Sequence, residues 1–285
     1  MDIKIRRATP GDAVELGRIC YEAFGTLAEH HRFPSDFPSA GVATHVMSML
    51  ISHPGFYGIL GEVDGRIIGS NFLDERSTIA GVGPISIDPA WQDKSAGRML
   101  MVAVLQRAHE KAFPGVRLVQ AAYHNRSLSL YAKLGFQVRE PLACMQGPAL
   151  QTEAKGYQVR AATDADIAVC NRLCFAIHGH ERSGELRDGV EHGSARVVER
   201  DGRVTGYASL LGFFGHAVGM ANEDLEALIG GANEFQGPGL LVPLRNGDLF
   251  AWCLDRGLRV TQPLTLMTMG MYNEPAGAFL PSILY

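Results

Sequence analysis

The 285-residue sequence lacks the features that mark several common classes of protein. It contains neither GxxxxGK[ST] nor GxGxxG, so a P-loop and a dinucleotide-binding fingerprint are both absent. The formal net charge of −4 gives no electrostatic reason to expect a nucleic-acid partner. The N-terminal segment has no apolar signal region, and the most apolar stretch, residues 206–220, is too short to span a bilayer. We therefore expect neither a nucleic-acid nor a membrane partner.

Cysteine is scarce and scattered. None of the five cysteines forms a CxxC pair, and Cys170 and Cys174 lie one helical turn apart, as on a buried helix face. Such a set fits free thiols in a reducing compartment, so we expect a cytoplasmic protein. His178, His180 and Glu181 are close in sequence, but further ligands at metal-binding spacing are missing, and we expect no metal.

The most informative stretch runs from residue 82 to residue 108. Residues 83–88 alternate and are β-branched as in a strand, which Pro89 ends. Residues 92–98 form a short polar loop with small side chains, and apolar residues follow without a helix breaker. A strand, a small-residue loop and a helix start leave several backbone N–H groups unpaired, and the helix dipole adds positive potential. The loop therefore suits a phosphate or pyrophosphate.

The chain contains two similar halves. Three pairs of segments match in the same order, and they are 5–25 with 159–179, 64–69 with 201–206, and 133–138 with 255–260. Matches in one order indicate an internal duplication of an α/β unit. A linker is predicted at about residues 147–156. After residues 201–206, where the pattern predicts a second β-hairpin, no Gln-x-x-small-x-Gly loop opens a helix. We therefore expect the second half to keep the scaffold and to lack the phosphate site.

Two segments of the first half resemble the GNAT N-acetyltransferases. The loop resembles motif A of that family, Gln/Arg-x-x-Gly-x-Gly/Ala, with Gln92, Ser95 and Gly97 at its positions, so that Ser95 replaces the first glycine. The next helix resembles motif B. The positions that carry this second resemblance are Ser127, Leu130, Tyr131, Gly135 and Phe136, with His124 at the place of the family's asparagine and Asn125 beside it.

This resemblance implies the fold class α/β (α+β), with two tandem GNAT folds that each have a mixed, mostly antiparallel sheet flanked by helices. It implies an acetyl-CoA-binding domain over residues 1–147 and a degenerate GNAT-like domain over residues 156–285 without its own CoA site. The implied activity is an acetyl-CoA-dependent N-acetyltransferase, which transfers the acetyl group by direct attack to the amine of a small molecule or amino-acid-like acceptor.

The resemblance also assigns roles to residues. Acetyl-CoA is the cosubstrate, no metal takes part, and Tyr131 matches the general acid that protonates the departing thiolate. The residues implied to bind the cofactor are Ile85, Ser86, Ile87, Gln92, Asp93, Lys94, Ser95, Ala96, Gly97, Arg98, His124, Asn125, Ser127 and Tyr131.

The general base stays open, because the motif A strand has no acid before Asp88, where many relatives carry a glutamate. The candidates are Glu22, Glu29, His30, His31, Asp74, Glu75, a water-relayed base, and the terminal carboxylate of Tyr285 if the apolar tail folds into the cleft.

Two other functions and the role of the second half also stay open. A non-catalytic acyl-CoA sensor is favoured somewhat by Ser95 and the missing glutamate. Transfer of a longer acyl group needs a deeper pocket near Phe72 and Leu73. We expect the second half to wall the acceptor pocket or to form a dimer contact, which leaves a homodimer open.

Overall fold

The computed structural model describes residues 3–285, so Met1 and Asp2 of the predicted first domain lie outside it. The first half contains four helices, which are α1 (Ala13–His31), α2 (Ala40–Ser52), α3 (Ala96–Glu110) and α4 (Asn125–Lys133). Its strands are β1 (Lys4–Arg7), β2 (Phe56–Val63), β3 (Arg66–Asp74), β4 (Ala80–Val82), β5 (Ser86–Ile87), β6 (Gly115–Ala121) and β7 (Gln137–Gln146). Residues 147–156, the predicted linker, carry neither helix nor strand.

The second half repeats this pattern of elements. Its helices are α5 (Ile167–His178), α6 (Ser183–Glu191), α7 (Asn222–Gly230) and α8 (Gly247–Asp255). Its strands are β8 (Tyr157–Ala161), β9 (Arg196–Arg200), β10 (Arg203–Ala208), β11 (Ala217–Gly219), β12 (Leu240–Pro243), β13 (Arg259–Gly270) and β14 (Ala278–Leu280). Within residues 3–285, no helix combines the length and the apolar character that crossing a bilayer requires.

The strands form two sheets, and the two halves share the larger one. The larger sheet has nine strands in the order β1-β2-β3-β4-β6-β13-β7-β12, with β5 paired to β3. The smaller sheet has five strands in the order β14-β11-β10-β9-β8. The strand pairs are antiparallel apart from the parallel pair of β4 and β6. The predicted fold class, with mixed, mostly antiparallel sheets flanked by helices, is confirmed.

The two halves exchange strands reciprocally. Strand β13 of the second half lies between β6 and β7, with Leu264 opposite Ala121 on one side and opposite Leu142 on the other. Strand β7 of the first half lies between β13 and β12, with Cys144 opposite Leu241. Each half therefore completes its part of the sheet with a strand from the other half. The sequence patterns did not predict this exchange.

Strands β4 and β6 separate soon after they pair. They are in register at two positions, Ala80 with Val116 and Gly81 with Arg117. Beyond these pairs β6 continues along β13, whereas the chain after β4 turns to β5 and pairs with β3. Parallel neighbours that diverge in this way leave a gap in the sheet between their carboxyl ends.

The first helix of each half begins with the same arrangement of charges. The Asp12 carboxylate accepts the Thr9 amide at 2.7 Å and the Arg6 guanidinium at 2.8 Å. Arg6 also donates to Glu62 at 2.8 Å, which ties the helix start to β2. The same contacts recur in the second half, at Arg160, Thr163, Asp166 and Glu199. Matched sequence positions thus hold matched structural positions, as an internal duplication predicts.

The other two sequence matches also occupy equivalent places. The hairpin turns 64–65 and 201–202 have positive φ at both central residues, with values of 51° and 75° in the first and 51° and 71° in the second. An Asp-Gly pair suits this kind of two-residue turn. Gly135 and Gly257 follow α4 and α8 with φ of 102° and 89°.

We predict that Asp12→Asn and Asp166→Asn each destabilise the protein at neutral pH by about 1 kcal/mol, the usual value for a lost helix cap. The hydrogen bond from Arg6 holds the pKa of Asp12 well below its usual range, and Arg160 does the same for Asp166. The stability that these carboxylates supply is therefore present above pH 4, near the pKa of an unfolded aspartate, and is lost as the pH falls further.

Urea unfolding between pH 7 and pH 2 measures this effect. The difference between wild type and each variant should shrink as the pH falls below 4, whereas the exposed Asp255→Asn serves as a control without effect. A difference that stays constant down to pH 2 would contradict the prediction.

Candidate functional site

A cavity of about 1070 Å³ lies where β4 and β6 diverge. Its lining includes residues 82–87 after β4, residues 118–121 of β6 and most of the loop 91–98, together with part of α4. The second half contributes Phe213, Phe214, Leu264, Ile283 and Leu284. A cavity of this size is at the upper end of the range for small-molecule sites.

The loop before α3 presents free N–H groups. No backbone amide from residue 92 to residue 98 donates a hydrogen bond to any other residue in the described range 3–285. The first amide of α3 that is bonded is that of Met99, which donates to the Ser95 carbonyl at 3.1 Å. Unpaired amides at a helix N-terminus attract anionic oxygens, because the helix dipole adds positive potential there.

Ser95 adopts a backbone conformation that favours glycine. Its φ is 66°, in the left-handed region, which costs a non-glycine residue roughly 1 kcal/mol. The backbone of the loop therefore has a glycine-like conformation at the serine.

The neighbouring protein atoms leave space for a side chain at Gly97. A Cβ there would lie 3.7 Å from Leu130 Cδ2 and 3.8 Å from Ile87 Cγ1, which are ordinary contacts. Since Gly97 lines the cavity, a side chain at this position would instead take space from a ligand on the loop.

The structure brings the predicted cofactor residues together around one cavity. All of them line it except Lys94, whose ammonium donates to the Ala90 carbonyl at 3.0 Å and lies over the Trp91 ring. The Lys94 backbone still belongs to the loop. That these residues bind a cofactor stays a prediction.

Tyr131 is a buried phenol that faces the cavity. It is 5% exposed, and burial raises the pKa of Tyr131 to about 12, so the hydroxyl keeps its proton at neutral pH. A hydrogen bond with Ser127 partly opposes that rise, and the Ser127 Oγ lies 2.7 Å from His124 Nδ1. Burial, with the charge of Arg126, lowers the pKa of His124 to about 4, so this imidazole is neutral. The three side chains form a chain of uncharged groups.

Two of the candidate bases, His30 and His31, line the cavity. Three of the acidic candidates are instead paired with arginines, and these pairs are Glu22 with Arg18, Asp74 with Arg76, and Glu75 with Arg107. Glu29 is exposed and lies outside the lining.

The apolar tail folds back onto the first half. Ile283 and Leu284 line the cavity, whereas the Tyr285 hydroxyl lies 3.0 Å from His180 Nε2 in a buried cluster. Transfer of a longer acyl group needs a deeper pocket near Phe72 and Leu73. Both residues are fully buried and lie outside the lining of the cavity.

Among the polar residues of the lining that sequence reasoning missed are Arg126, Asp36 and Gln120. Arg126 donates to Asp93 at 2.8 Å and to Gln92 Oε1 at 2.7 Å, which ties α4 to the loop at the exposed mouth. Asp36 and Gln120 line the cavity from the α1–α2 connection and from β6. Arg126 could have been found from its place at the start of motif B, but the other two come from segments that only the fold brings together.

The second half differs at the equivalent positions. Only two residues separate β11 from α7. The Asp224 carboxylate, fully buried, accepts the Ala221 amide at 3.0 Å and the Thr205 hydroxyl, so the helix start carries its own anion. Cys253 stands at the position in α8 that Tyr131 holds in α4, and it is fully buried. These features disfavour a phosphate at this helix.

His178 and His180, which are close in sequence, lie in a packed part of the structure. The His178 and His180 rings stack with their centroids 5.6 Å apart, and His180 contacts the Tyr285 hydroxyl. In the part of the chain that the structure describes, no group of three or more histidine, cysteine, aspartate or glutamate side chains is placed to hold a metal ion.

Comparison with known sequences identifies a family for the first half. Residues 23–136 match the model of the acetyltransferase (GNAT) family. Over 75 residues, which are 25% of each chain, the sequence is 36% identical to a mycothiol acetyltransferase from Nocardia farcinica (strain IFM 10152). The aligned part thus spans about a quarter of the length of this curated relative.

Comparison with solved structures extends the similarity to both halves. The fold matches that of a candidate acetyltransferase from Pyrococcus horikoshii with a TM-score of 0.72 and 16% identity, over 97% of this chain and 94% of that chain. It matches a tandem GNAT protein from the clavulanic acid biosynthesis pathway with a TM-score of 0.56 and 12% identity, over 94% of this chain and 98% of that chain. At these identities the similarity concerns the fold. Residues 23–136 are therefore similar in sequence to the acetyltransferase (GNAT) family, and the chain as a whole has the fold of a tandem GNAT protein.

Proposed function

We propose that this protein is an acetyl-CoA-dependent N-acetyltransferase that acetylates the amine of a small molecule or amino-acid-like acceptor. The observation that carries the proposal is the loop of residues 92–98, whose unpaired amides border the same cavity as a buried, protonated tyrosine. Phosphate binding and acid catalysis are thereby supported at one place. The family match of residues 23–136 supports the same reaction class.

The residues of the cavity fit acetyl-CoA. The amides of residues 92–98 supply donors for a pyrophosphate, and residues 85–87 lie along the wall where they would bond the pantetheine arm through the backbone. Bound acetyl-CoA supplies an activated thioester. An amide of residues 85–87 would hold the thioester oxygen and stabilise its negative charge as the amine attacks.

The chain's own acid for this reaction is Tyr131. Because burial keeps its hydroxyl protonated at neutral pH, Tyr131 can give a proton to the departing thiolate. The Ser127 hydroxyl, which is 2.7 Å from the neutral His124 imidazole, lowers the pKa of Tyr131 slightly, and neither side chain adds a competing charge. Tyr131 then regains a proton from the new amide nitrogen or from solvent.

In this proposal the second half supports the acetyl-CoA site of the first half and has no acetyl-CoA site of its own. Its side chains wall the cavity, and β13 holds β6 along its whole length. The buried Asp224 carboxylate at the start of α7 disfavours a second CoA. We therefore expect one acetyl-CoA per chain.

The substitution Gly97→Ala tests the phosphate site. We expect the Kd for acetyl-CoA to rise roughly tenfold, equivalent to about 1.4 kcal/mol, because a methyl group would displace phosphate from the loop. Alanine also favours the helix, so the fold should be kept. Gly25→Ala is the matched control, since Gly25 is helical, lies outside the lining and has open space around its Cβ position. Calorimetric titration measures both variants, and unchanged binding by Gly97→Ala would count against the loop.

The substitution Tyr131→Phe tests the acid. We expect kcat for release of free CoA in the presence of an amine to fall about 100-fold or more, with little change in the Kd for acetyl-CoA. Tyr157→Phe, in the second half, is the control and should keep wild-type turnover. If the wild-type protein binds acetyl-CoA yet releases no CoA with any amine of a broad panel, the protein is a sensor and the proposed function is wrong.

A further inference from the structure

The cavity has a mostly apolar side with few polar groups. Its apolar members come from the α1–α2 region, β6 and the second half, and they include Phe24, Phe37, Phe214, Leu264 and Ile283. Asp36 and Gln120 interrupt this surface. Polar side chains placed singly in an apolar pocket fix the orientation and the chemical type of a ligand.

Asp36 is held in place by a strand of the second half. The Gln262 amide nitrogen donates to Asp36 Oδ1 at 2.6 Å, and the Tyr123 hydroxyl donates to Gln262 Oε1 at 3.0 Å. Gln262 is 1% exposed, so its amide has one orientation, with the nitrogen toward the carboxylate. The carboxylate forms no ion pair with any arginine, lysine or histidine between residues 3 and 285.

The two thiols and the phenol beside Asp36 keep their protons at physiological pH. Cys20 of α1, Cys144 of β7 and Tyr123 after β6 all have a pKa raised by burial, and the negative charge of Asp36 adds to each rise. His30 and His31 at the end of α1 line the same cavity. Burial raises the pKa of Asp36 itself, and the Gln262 hydrogen bond opposes that rise. A carboxylate that is buried without a counter-ion is stabilised when it binds a cation.

Asp36 is also near the strand that would hold the thioester. The charge of Asp36 raises the pKa of the Cys20 thiol, and the Ser86 hydroxyl of β5 lowers the pKa of the same thiol. Asp36 and Ser86 line the same cavity. An ammonium group bound at Asp36 would therefore lie on the side from which an amine reaches the thioester carbon.

Gln120 offers an unused carboxamide. It is 7% exposed, and among the described residues neither its oxygen nor its nitrogen has a hydrogen-bond partner. A buried amide without partners is unfavourable by about 1–3 kcal/mol, and a ligand that bonds it removes this penalty.

A second cavity also borders Asp36. It has a volume of about 420 Å³ and shares Asp36, Phe37 and Phe214 with the first. Its other members include Val42 and Val46 of α2. Asp36 thus stands where the two cavities meet, between apolar surfaces on both sides.

From this arrangement we infer that Asp36 binds the ammonium group of the acceptor and removes its proton, while Gln120 bonds an amide or hydroxyl group of the same molecule. The acceptor is a primary amine with a single positive charge on an apolar skeleton that carries one hydrogen-bonding group. Gln262 is a positioning residue, contributed by the second half. The inference rests on the proposed acetyl transfer.

The proton balance of the step is complete. Asp36 takes one proton from the ammonium and becomes a carboxylic acid, and the neutral amine forms the C–N bond. As the C–S bond breaks, Tyr131 gives its proton to the thiolate sulfur, and the second amine proton returns to the tyrosine oxygen. Asp36 finally releases its proton to solvent, so one ammonium ion and one thioester yield an amide, a thiol and one proton.

The substitution Asp36→Asn tests the base in the full-length protein, with L-phenylalaninamide as the acceptor. We expect kcat/KM for the amine at pH 7 to fall about 100-fold or more, with an unchanged Kd for acetyl-CoA and an unchanged Tm. The variant should regain activity above about pH 8, the pKa of an α-ammonium group, where the free amine forms without a base. Asp255→Asn, which removes an exposed charge, is the control.

Gln262→Leu separates positioning from packing in the same assay. Loss of the hydrogen bond removes a contact that favours the ionised carboxylate, so the acid limb of kcat/KM should move to higher pH. The pH profile of kcat/KM for Asp36→Asn should lack this acid limb. A merely structural role for Gln262 would lower activity equally at all pH values and would overturn its assignment.

Gln120→Leu tests the chemical class of the acceptor. With wild type we expect L-phenylalaninamide to have a KM at least tenfold lower than phenethylamine, which lacks the carboxamide, and both to be better acceptors than the polycation spermidine. Gln120→Leu should abolish the preference for L-phenylalaninamide and leave phenethylamine unchanged. Equal preference before and after the substitution, or spermidine as the best acceptor, would contradict the inference.

These outcomes distinguish the inference from the proposed function. If wild type transfers acetyl groups to amines and Asp36→Asn is equally active at pH 7, the assignment of Asp36 is wrong while the transferase function stands. If wild type acetylates none of a broad amine panel, the proposed function fails together with the inference.

Discussion

The divergence of β4 and β6 is the constraint on which the rest of the structure depends. The two parallel strands pair at two positions and then separate, because β6 stays paired along β13 while the chain after β4 pairs with β3 through β5. The gap exposes residues 82–87 on one side and 118–121 on the other. Loop 92–98 lies at one border of this gap. The separation of β4 and β6 therefore both creates the cavity and places the amides of the loop beside it.

The reciprocal exchange of β7 and β13 makes the two halves one unit. Strand β13 both holds β6 in place and brings Gln262 to Asp36, so the second half takes part in the site without a phosphate loop of its own. In the proposed function, this explains why the second half keeps its fold without a CoA site of its own. Its helix start is closed by Asp224, while its strand and apolar loops complete the cavity of the other half.

Single elements follow from local patterns, because their causes are local. The Asp-Gly turns, the helix starts at Asp12 and Asp166, and the loop before α3 depend on residues close in sequence. The strand exchange could not be predicted, since alternation shows that β13 is a strand but not which strand it pairs with. Asp36, Gln120 and Gln262 belong to distant segments and carry no motif, so only the fold shows that they share a site.

The central claim is that the amides of residues 92–98 bind the pyrophosphate of acetyl-CoA and thereby bring its sulfur to Tyr131. A crystal structure of the complex with acetyl-CoA tests it most directly. The account predicts phosphate oxygens within hydrogen-bonding distance of these amides and the sulfur about 3 Å from the Tyr131 hydroxyl. A pyrophosphate bound elsewhere, or a sulfur far from Tyr131, would contradict it.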